Sequence, residues 1–425
     1  MKKMHDPCCS KCHHSAEKPC PDLIECRVNG PVCHESVDCR NLRHEALDLI
    51  SRKKVEKPVI YVGAGTCGLG AGATQTIEAV KAWLASSKKD ADVLEVGCIG
   101  LCVQEPLMDI QLPGRARVSF GEVTGNKVAG ILDKVFAGNI PTENLLGQFS
   151  VEGEGSWKDV PEFFASSFFK PQTRRVLANC GEINPVHIEE YIARGGYLGL
   201  AKALKNTTPA EACSMVEGSG LRGRGGGGFP TGKKWRFALE AAGDKKYLIC
   251  NADEGDPGAF MDRAVIEGDP HRLLEGMLLG AYSIGASKAY IYIRAEYPLA
   301  IKRLEWAIAE AKEWGLIGSN ILDSGFKLDM VIKQGAGAFV CGEETALIHS
   351  IEGKRGMPRP RPPFPAVSGL FGCPTVINNV ETLANVPDIF RHGVDWFKQI
   401  GTAGSPGTKV FALSGRISRT GLAEV

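Results

Sequence analysis

The residues of this chain whose types and spacing could do chemistry are thiols, clustered glycines and adjacent carboxylates. Seven of its 15 cysteines fall in the first forty residues: Cys8, Cys9, Cys12, Cys20, Cys26, Cys33 and Cys39, with His5, His13, His14 and His34 among them. Few apolar residues lie between, so this segment cannot build a core alone and is expected to fold around metal. Cys9-x2-Cys12 suits structural zinc or an iron–sulfur cluster, and Cys33 and Cys39 are further candidate ligands. A second thiol group is Cys67 with Cys98-x3-Cys102. The isolated Cys180, Cys213, Cys250, Cys341 and Cys373 read as small core residues.

Three glycine-rich stretches imitate nucleotide-binding loops. Gly63-Ala64-Gly65-Thr66-Cys67-Gly68 follows a strand pattern and precedes a helix, as a dinucleotide fingerprint should. Its acidic partner Glu95 comes late, however, and Cys67 sits inside the loop with Cys98 and Cys102 just past the next strand. One cysteine in a first loop and a close pair in the next is what a [2Fe–2S] site on adjacent loops needs. Gly218-Ser219-Gly220-Leu221-Arg222-Gly223 follows a helical stretch, which is the wrong context. Gly227-Gly228-Phe229-Pro230-Thr231-Gly232-Lys233 nearly matches a P-loop. Lys234 stands where Ser or Thr should hold Mg²⁺, and Pro230 removes a backbone donor.

What remains is the run from Gly223 to Trp235, whose glycines let backbone lie flat against a ligand too close for any Cβ. A flexible surface loop would carry Ser and other polar residues, whereas this run continues into Phe229, two lysines and Trp235. Asn251-Ala252-Asp253-Glu254-Gly255-Asp256 emerges directly from an apolar strand pattern, at the usual ligand edge of an α/β sheet. Gly342-Glu343-Glu344 places two carboxylates after another glycine-rich turn, and Asn378-Asn379 is an amide pair suited to a phosphate or ribityl chain.

The elements that must position these groups follow from the periodicity. A helix is expected over 41–55, then a strand over 58–62, a helix over 74–85 and strands over 93–96, 107–112 and 116–120. A helix over 124–136 closes this unit, and 138–165 reads as loop. From 168 onward the pattern is that of a large α/β domain, with buried strands at 246–250 and 288–293 and a helix at 299–314. The stretch 409–425 reads as the first strand of a further unit. A length of 425 residues suggests two or three domains, and 44% hydrophobic against 23% charged residues supports packed cores. A net charge of +1 predicts no nucleic-acid partner, and no apolar run is long enough to span a membrane. The N-terminus lacks the apolar stretch of a secretory signal, so a cytoplasmic location is expected.

From about residue 168 to 425 the chain closely resembles the NADH-binding flavoprotein subunit of respiratory complex I (the 51 kDa type). It is also similar to relatives in NAD-linked and electron-bifurcating hydrogenases and formate dehydrogenases. The motifs that carry this resemblance are 220–235, 251–258, 335–345, Arg361-Pro362-Pro363-Phe364-Pro365 and 375–382. The resemblance implies FMN held by Gly223, Arg224, Gly225, Lys234, Asn251, Asp253, Glu254, Gly342, Glu343, Asn378 and Asn379. It places NADH near Gly226, Phe229, Phe237, Glu344 and Phe364, with Asp256 and Arg361 close by, and implies no protein acid or base. Asp256 replaces a Glu of complex I members, Arg361 a Lys and Phe339 a Tyr. The wording around Asp256 is closer to the soluble hydrogenase and formate dehydrogenase branch.

Residues 55–140 resemble the thioredoxin-like [2Fe–2S] ferredoxin domain fused ahead of the flavoprotein in that branch. Cys98 and Cys102 match its second ligand pair. Cys67 alone stands for the first pair, because Val62 or Gly63 falls where the partner belongs; either the cluster is absent or it borrows a ligand. The implied fold is α/β: a cysteine-rich segment (1–45), a thioredoxin-like domain (55–140), a linker (141–165) and a large Rossmann-like FMN- and NADH-binding domain (166–405). Residues 406–425 would start a truncated ubiquitin-like (SLBB-type) module, with the [4Fe–4S] domain of the family beyond the end. The implied function is an NADH dehydrogenase (diaphorase) subunit in a soluble complex, passing hydride between NAD(H) and FMN and single electrons to iron–sulfur clusters. Its partners would be a 24 kDa-like [2Fe–2S] subunit and a catalytic hydrogenase or dehydrogenase subunit. The alternative is a non-catalytic iron–sulfur or assembly module that kept the fold.

Overall fold

The computed structural model describes residues 37–425. The candidate ligands Cys9, Cys12 and Cys33, and the side chain of Cys39, lie outside the described residues. The first helix is Val37–Ile50, ending earlier than the expected residue 55, with Arg52 at a left-handed φ of 53°. The stretch Arg52-Lys53-Lys54 offers no apolar face to extend it.

A five-stranded mixed sheet follows, in the order β2-β1-β3-β4-β5. Its strands are β1 (Val59–Gly63), β2 (Asp92–Val96), β3 (Met108–Gln111), β4 (Arg117–Phe120) and β5 (Leu145–Phe149). β1 and β2 run parallel, joined through the helix Ala73–Ser87, and the remaining pairs are antiparallel. Ile77 and Val80 of that helix, with Val128, Leu132 and Val135 of Gly125–Phe136, bury against Ile60, Val62 and Val118. This is a thioredoxin-like arrangement. Part of the stretch read as linker is in fact β5. Its buried positions hold Gly147 and Gln148 rather than large apolar residues, and its register with β4 slips between Ser119 and Phe120, so the period-two signal is broken.

The second sheet is fully parallel: β8-β7-β6-β9, from β6 (Tyr247–Ala252), β7 (Lys288–Arg294), β8 (Asp329–Gly335) and β9 (Thr375–Asn379). Helices Pro270–Ile284 and Val380–His392, buried along most of their length, cover one face. They also share a buried ion pair between Arg272 and Asp388. The winding reverses between β6 and β9. In a Rossmann-like sheet that reversal opens a crevice at the carboxyl ends of the strands.

The stretch 409–425 forms a hairpin, β12 (Val410–Leu413) with β13 (Gly421–Glu424), after a minor pair of two-residue strands, β10 (Gly401–Thr402) and β11 (Ser405–Pro406). Buried Glu424 accepts hydrogen bonds from the amides of Arg175, Val176 and Leu177, and the Leu422 amide donates to the Gly100 carbonyl. The two sheets meet along the helix Met261–Gly268. There Glu267 accepts from the Thr66 amide at 2.8 Å, and a Cβ on Gly97 would collide with the Gly268 backbone. Among the described residues no helix is long and apolar enough to cross a membrane.

Candidate functional site

A cavity of about 1340 Å³ opens at the reversal between β6 and β9, and every flavin and nicotinamide position named from the sequence lines it. One wall is the glycine run. Gly226 and Gly228 have φ values of 100° and 61°, which only glycine takes at low cost. A Cβ on Gly225 would stand 2.9 Å from that of Asn379, while one on Gly227 would meet nothing within 4 Å. The turn is closed by the Gly223 amide donating to the Phe229 carbonyl at 2.9 Å. Arg224, although it borders the cavity, sends its guanidinium the other way, to Ser405 Oγ (3.1 Å) and the Pro406 carbonyl (2.6 Å).

The floor is built by adjacent strand ends. Asn251 and Asn379 are register partners across β6 and β9. Asn251 Nδ2 donates to the Gly342 carbonyl at 2.8 Å, which ties the glycine turn before Glu343 to the sheet. Asn378 accepts from the Trp235 indole at 2.8 Å, locking the helix Thr231–Glu240 beneath the glycine wall. Asn379 caps the helix Val380–His392 by accepting from the Thr382 amide, and donates to Asp262. Several expected binding residues therefore hold the cradle in shape with at least part of their polar capacity.

The acids divide by environment. Glu254 is buried and accepts from the amides of Asp262 (3.1 Å) and Arg263 (3.2 Å), so its carboxylate serves the start of the helix Met261–Gly268. Glu343 does the same for Glu344–Ile351, accepting from Thr345 and Ala346. Asp253 is different: Oδ2 is buried without a hydrogen-bond partner, and burial pushes the carboxyl up to about 6 against the pull of Arg294. Between roughly pH 4 and pH 6 the folded chain holds a proton here that the unfolded chain has lost. This group's contribution therefore favours folding below that window and is lost as pH rises through it. In ligand-free protein, Asp253→Asn is expected to flatten that part of the stability–pH profile, read by urea unfolding at stepped pH. An unchanged slope would mean that Asp253 titrates normally.

At the mouth, Lys234 Nζ donates to the Ile377 carbonyl at 3.1 Å and lies 3.4 Å from Glu344, which also pairs with Arg361 at 2.5 Å. Around this polar chain stand exposed aromatic rings: Phe229, Phe237, Phe339 and Phe364, with Phe411 of β12. Rings left in water at the rim of a cavity are stacking faces awaiting a partner. Asp256 lines the rim beside them. Thr231 Oγ1 and Arg224 Nε join Asp253 Oδ2 as buried polar atoms without partners beside the same space. A flat glycine wall, unpaired polar atoms and apolar faces fit an isoalloxazine with a ribityl phosphate tail and a stacked second nucleotide. Sequence reasoning missed Asp262, Thr382, Lys409 and Phe411 as lining residues. Thr382 lies inside a recognised motif, but nothing local marks Lys409 or Phe411, because the hairpin folds back from beyond the domain.

The thiol groups of Cys67, Cys98 and Cys102 lie within 4.8 Å of one another. Cys98 and Cys102 Sγ are 3.6 Å apart, and Arg263 Nη2 approaches Cys67 Sγ at 3.9 Å. Hydrogen bonds from Cys102 and Cys98, aided by the Arg263 charge, hold the Cys67 thiol well below the usual thiol range. The GxGxxG-like loop thus presents a thiol rather than a nucleotide cradle.

Residues 216–388 match the family model of the Nuo51 FMN-binding domain. The chain is 61% identical over 261 residues to the NADP-reducing hydrogenase subunit HndC of Solidesulfovibrio fructosivorans, covering 61% of this chain and 53% of that protein. It is 50% identical over 271 residues to the F-type subunit of the NADH-quinone oxidoreductase of Aquifex aeolicus, covering 64% and 62%. The crystal structure of an NAD⁺-reducing [NiFe]-hydrogenase in the air-oxidized state superposes with a TM-score of 0.51 at 30% identity, over 96% of this chain and 67% of that one. The chain spans little more than half the length of the first curated relatives it matches.

Proposed function

Because this chain belongs to the family of the Nuo51 FMN-binding domain, we propose that it is the NAD(P)H-oxidising flavoprotein subunit of a multi-subunit oxidoreductase. The observation that carries this reading is one cavity at the β6–β9 crevice lined both by the glycine wall of Gly223–Gly228 and by Asp253, whose buried Oδ2 has no hydrogen-bond partner. FMN bound there would accept hydride from a reduced nicotinamide and release electrons one at a time. The protein's own work is positioning. The glycines admit the ring system, and Asn251, Asn378 and Asn379 tie the Gly342 turn and the flanking helices to the strand ends beneath it. Lys234 brings a positive charge against the flavin phosphate or ring. Phe229 and Phe364 supply stacking faces for the nicotinamide nucleotide, and Glu344 and Arg361 orient its polar edge. No side chain in the cavity need gain or lose a proton for the hydride to pass.

In this reading the cysteine triad belongs to an iron–sulfur site that receives or relays electrons, and further clusters sit on partner subunits. The names of the relatives make a hydrogenase and a quinone reductase both natural settings. The deciding experiment is an anaerobic absorption spectrum of the purified chain before and after NADH or NADPH. A flavin band that bleaches supports the assignment. A colourless protein that takes up no FMN on reconstitution leaves a binding or assembly module in its place. Within the site, Lys234→Ala is expected to weaken FMN binding about 10- to 100-fold, the worth of one hydrogen bond to a charged group. Flavin-fluorescence titration of the apoprotein checks this, and an unchanged affinity would remove Lys234 from the flavin contact.

A further inference from the structure

The triad of Cys67, Cys98 and Cys102 is one ligand short of a four-coordinate thiophilic metal site, and a carboxylate reaches into the glycine loop beside it. Residue 63, at the end of β1, is a glycine. A Cβ built on it would lie 2.8 Å from Oε2 and 3.2 Å from Oε1 of Glu105, and one built on Gly68 would lie 3.1 Å from the same Oε2. The Glu105 carboxylate therefore occupies the side-chain position of residue 63, inside the loop that presents Cys67. It arrives there from the other cysteine loop, three residues past Cys102.

Glu105 is 8% exposed. Oε2 accepts from the Leu107 amide at 2.9 Å, and Oε1 is buried with no hydrogen-bond partner. A carboxylate oxygen left bare in a protein interior is costly unless something positive meets it. Arg263, the nearby cation, is directed at Cys67 Sγ. The 3.6 Å between Cys98 and Cys102 Sγ matches the separation of about 3.8 Å expected of two thiolates sharing one tetrahedral metal at ~2.3 Å. We propose that Glu105 is the fourth protein ligand of this site, making a three-thiolate, one-carboxylate set for thiophilic iron or zinc. Glycine at 63 is then part of the design, since any side chain there would expel the carboxylate. The second, arginine-rich cavity near Arg272 offers no comparable case, because Arg272 is already paired with Asp388 and Arg174 and Arg391 donate to backbone carbonyls.

The test uses the full chain, loaded anaerobically with ferrous iron and sulfide or, in parallel, with Zn²⁺ or Co²⁺. A Cys67→Ser/Cys98→Ser/Cys102→Ser variant serves as the blank for metal held by other cysteines. Metal and sulfide per chain above that blank distinguish a cluster from a single ion. Glu105→Ala is expected to lose at least about tenfold in retained metal through desalting, in line with the loss of a ligand-shell group. Glu105→Cys is expected to restore retention and to raise the thiolate-to-cobalt charge-transfer intensity, or to move the electron paramagnetic resonance of the reduced cluster. Wild-type retention and spectra in Glu105→Ala, an unaltered spectrum in Glu105→Cys, or no metal above the blank would each overturn the assignment. The choice of iron rests on the electron-transfer reading above, so FMN content and NADH bleaching are recorded in the same samples. Failure of the flavin reading would show there, with the Glu105 dependence of metal retention untouched.

Discussion

Gly227→Val is expected to leave the protein folded and empty it of flavin. The position has space on the protein side, since a Cβ there meets nothing within 4 Å, and its φ is not in the left-handed region. The valine methyls must instead extend into the cavity that the glycine wall borders. The expected loss of FMN affinity exceeds about 100-fold, or ~2.8 kcal/mol, because the flavin ring and the side chain compete for one volume. Flavin content after purification and titration of the apoprotein measure it, with circular dichroism and urea midpoint as the check on folding. Normal flavin content in a folded Gly227→Val protein would move the flavin off the glycine wall. Gly226→Val cannot replace this experiment. Its φ of 100° would add backbone strain to the steric effect and confuse the two.

The largest expected effect on stability lies behind the site. Arg272 is 6% exposed; its guanidinium pairs with Asp388 and donates to the Ala384 carbonyl at 2.7 Å. This ties together the two helices that back the parallel sheet. Asp388→Ala leaves a buried guanidinium without its counter-charge and is expected to cost about 3–5 kcal/mol. Replacing both partners with apolar residues of similar volume, Arg272→Met with Asp388→Leu, is expected to recover much of that loss. The comparison is made by urea unfolding followed with tryptophan fluorescence. A single substitution costing under about 1 kcal/mol would show that water or relaxation solvates Arg272, and a double variant no better than the single would assign the loss to packing.

The parts of the site that could be read from sequence are those whose reason is local. A glycine wall announces itself because consecutive glycines have few uses, Asn251 and Asp253 follow a strand that an apolar run predicts, and Asn378-Asn379 stands out as an amide pair. Half of the parallel sheet was equally legible, since β6 and β7 are buried on both faces and read as continuous apolar segments, whereas β8, largely unburied, and β9 were not expected from the sequence. What was hidden depends on residues distant in sequence. Lys409 and Phe411 reach the cavity only because a hairpin returns past β11. Nothing in the sequence singles out Glu105, which the fold brings against Gly63. β5 escaped because its buried positions hold Gly147 and Gln148; the latter is buried by bonding to the Trp157 and Val160 carbonyls, not by being apolar. The roles of Glu254 and Glu343 also needed coordinates, because a carboxylate that caps a helix and one that binds a ligand look the same in a motif.

The helix Met261–Gly268 borders both sites. Asp262 lines the flavin cavity and holds Asn379, while the next residue, Arg263, reaches the thiol of Cys67, and Glu267 one turn on grips the loop that carries it. Any coupling between two binding equilibria that meet on one helix is reciprocal. By whatever factor occupancy of the thiol site changes the affinity for flavin, flavin must change the affinity for metal by the same factor. Titrating each in the presence and absence of the other yields one coupling free energy twice, whichever site is filled first.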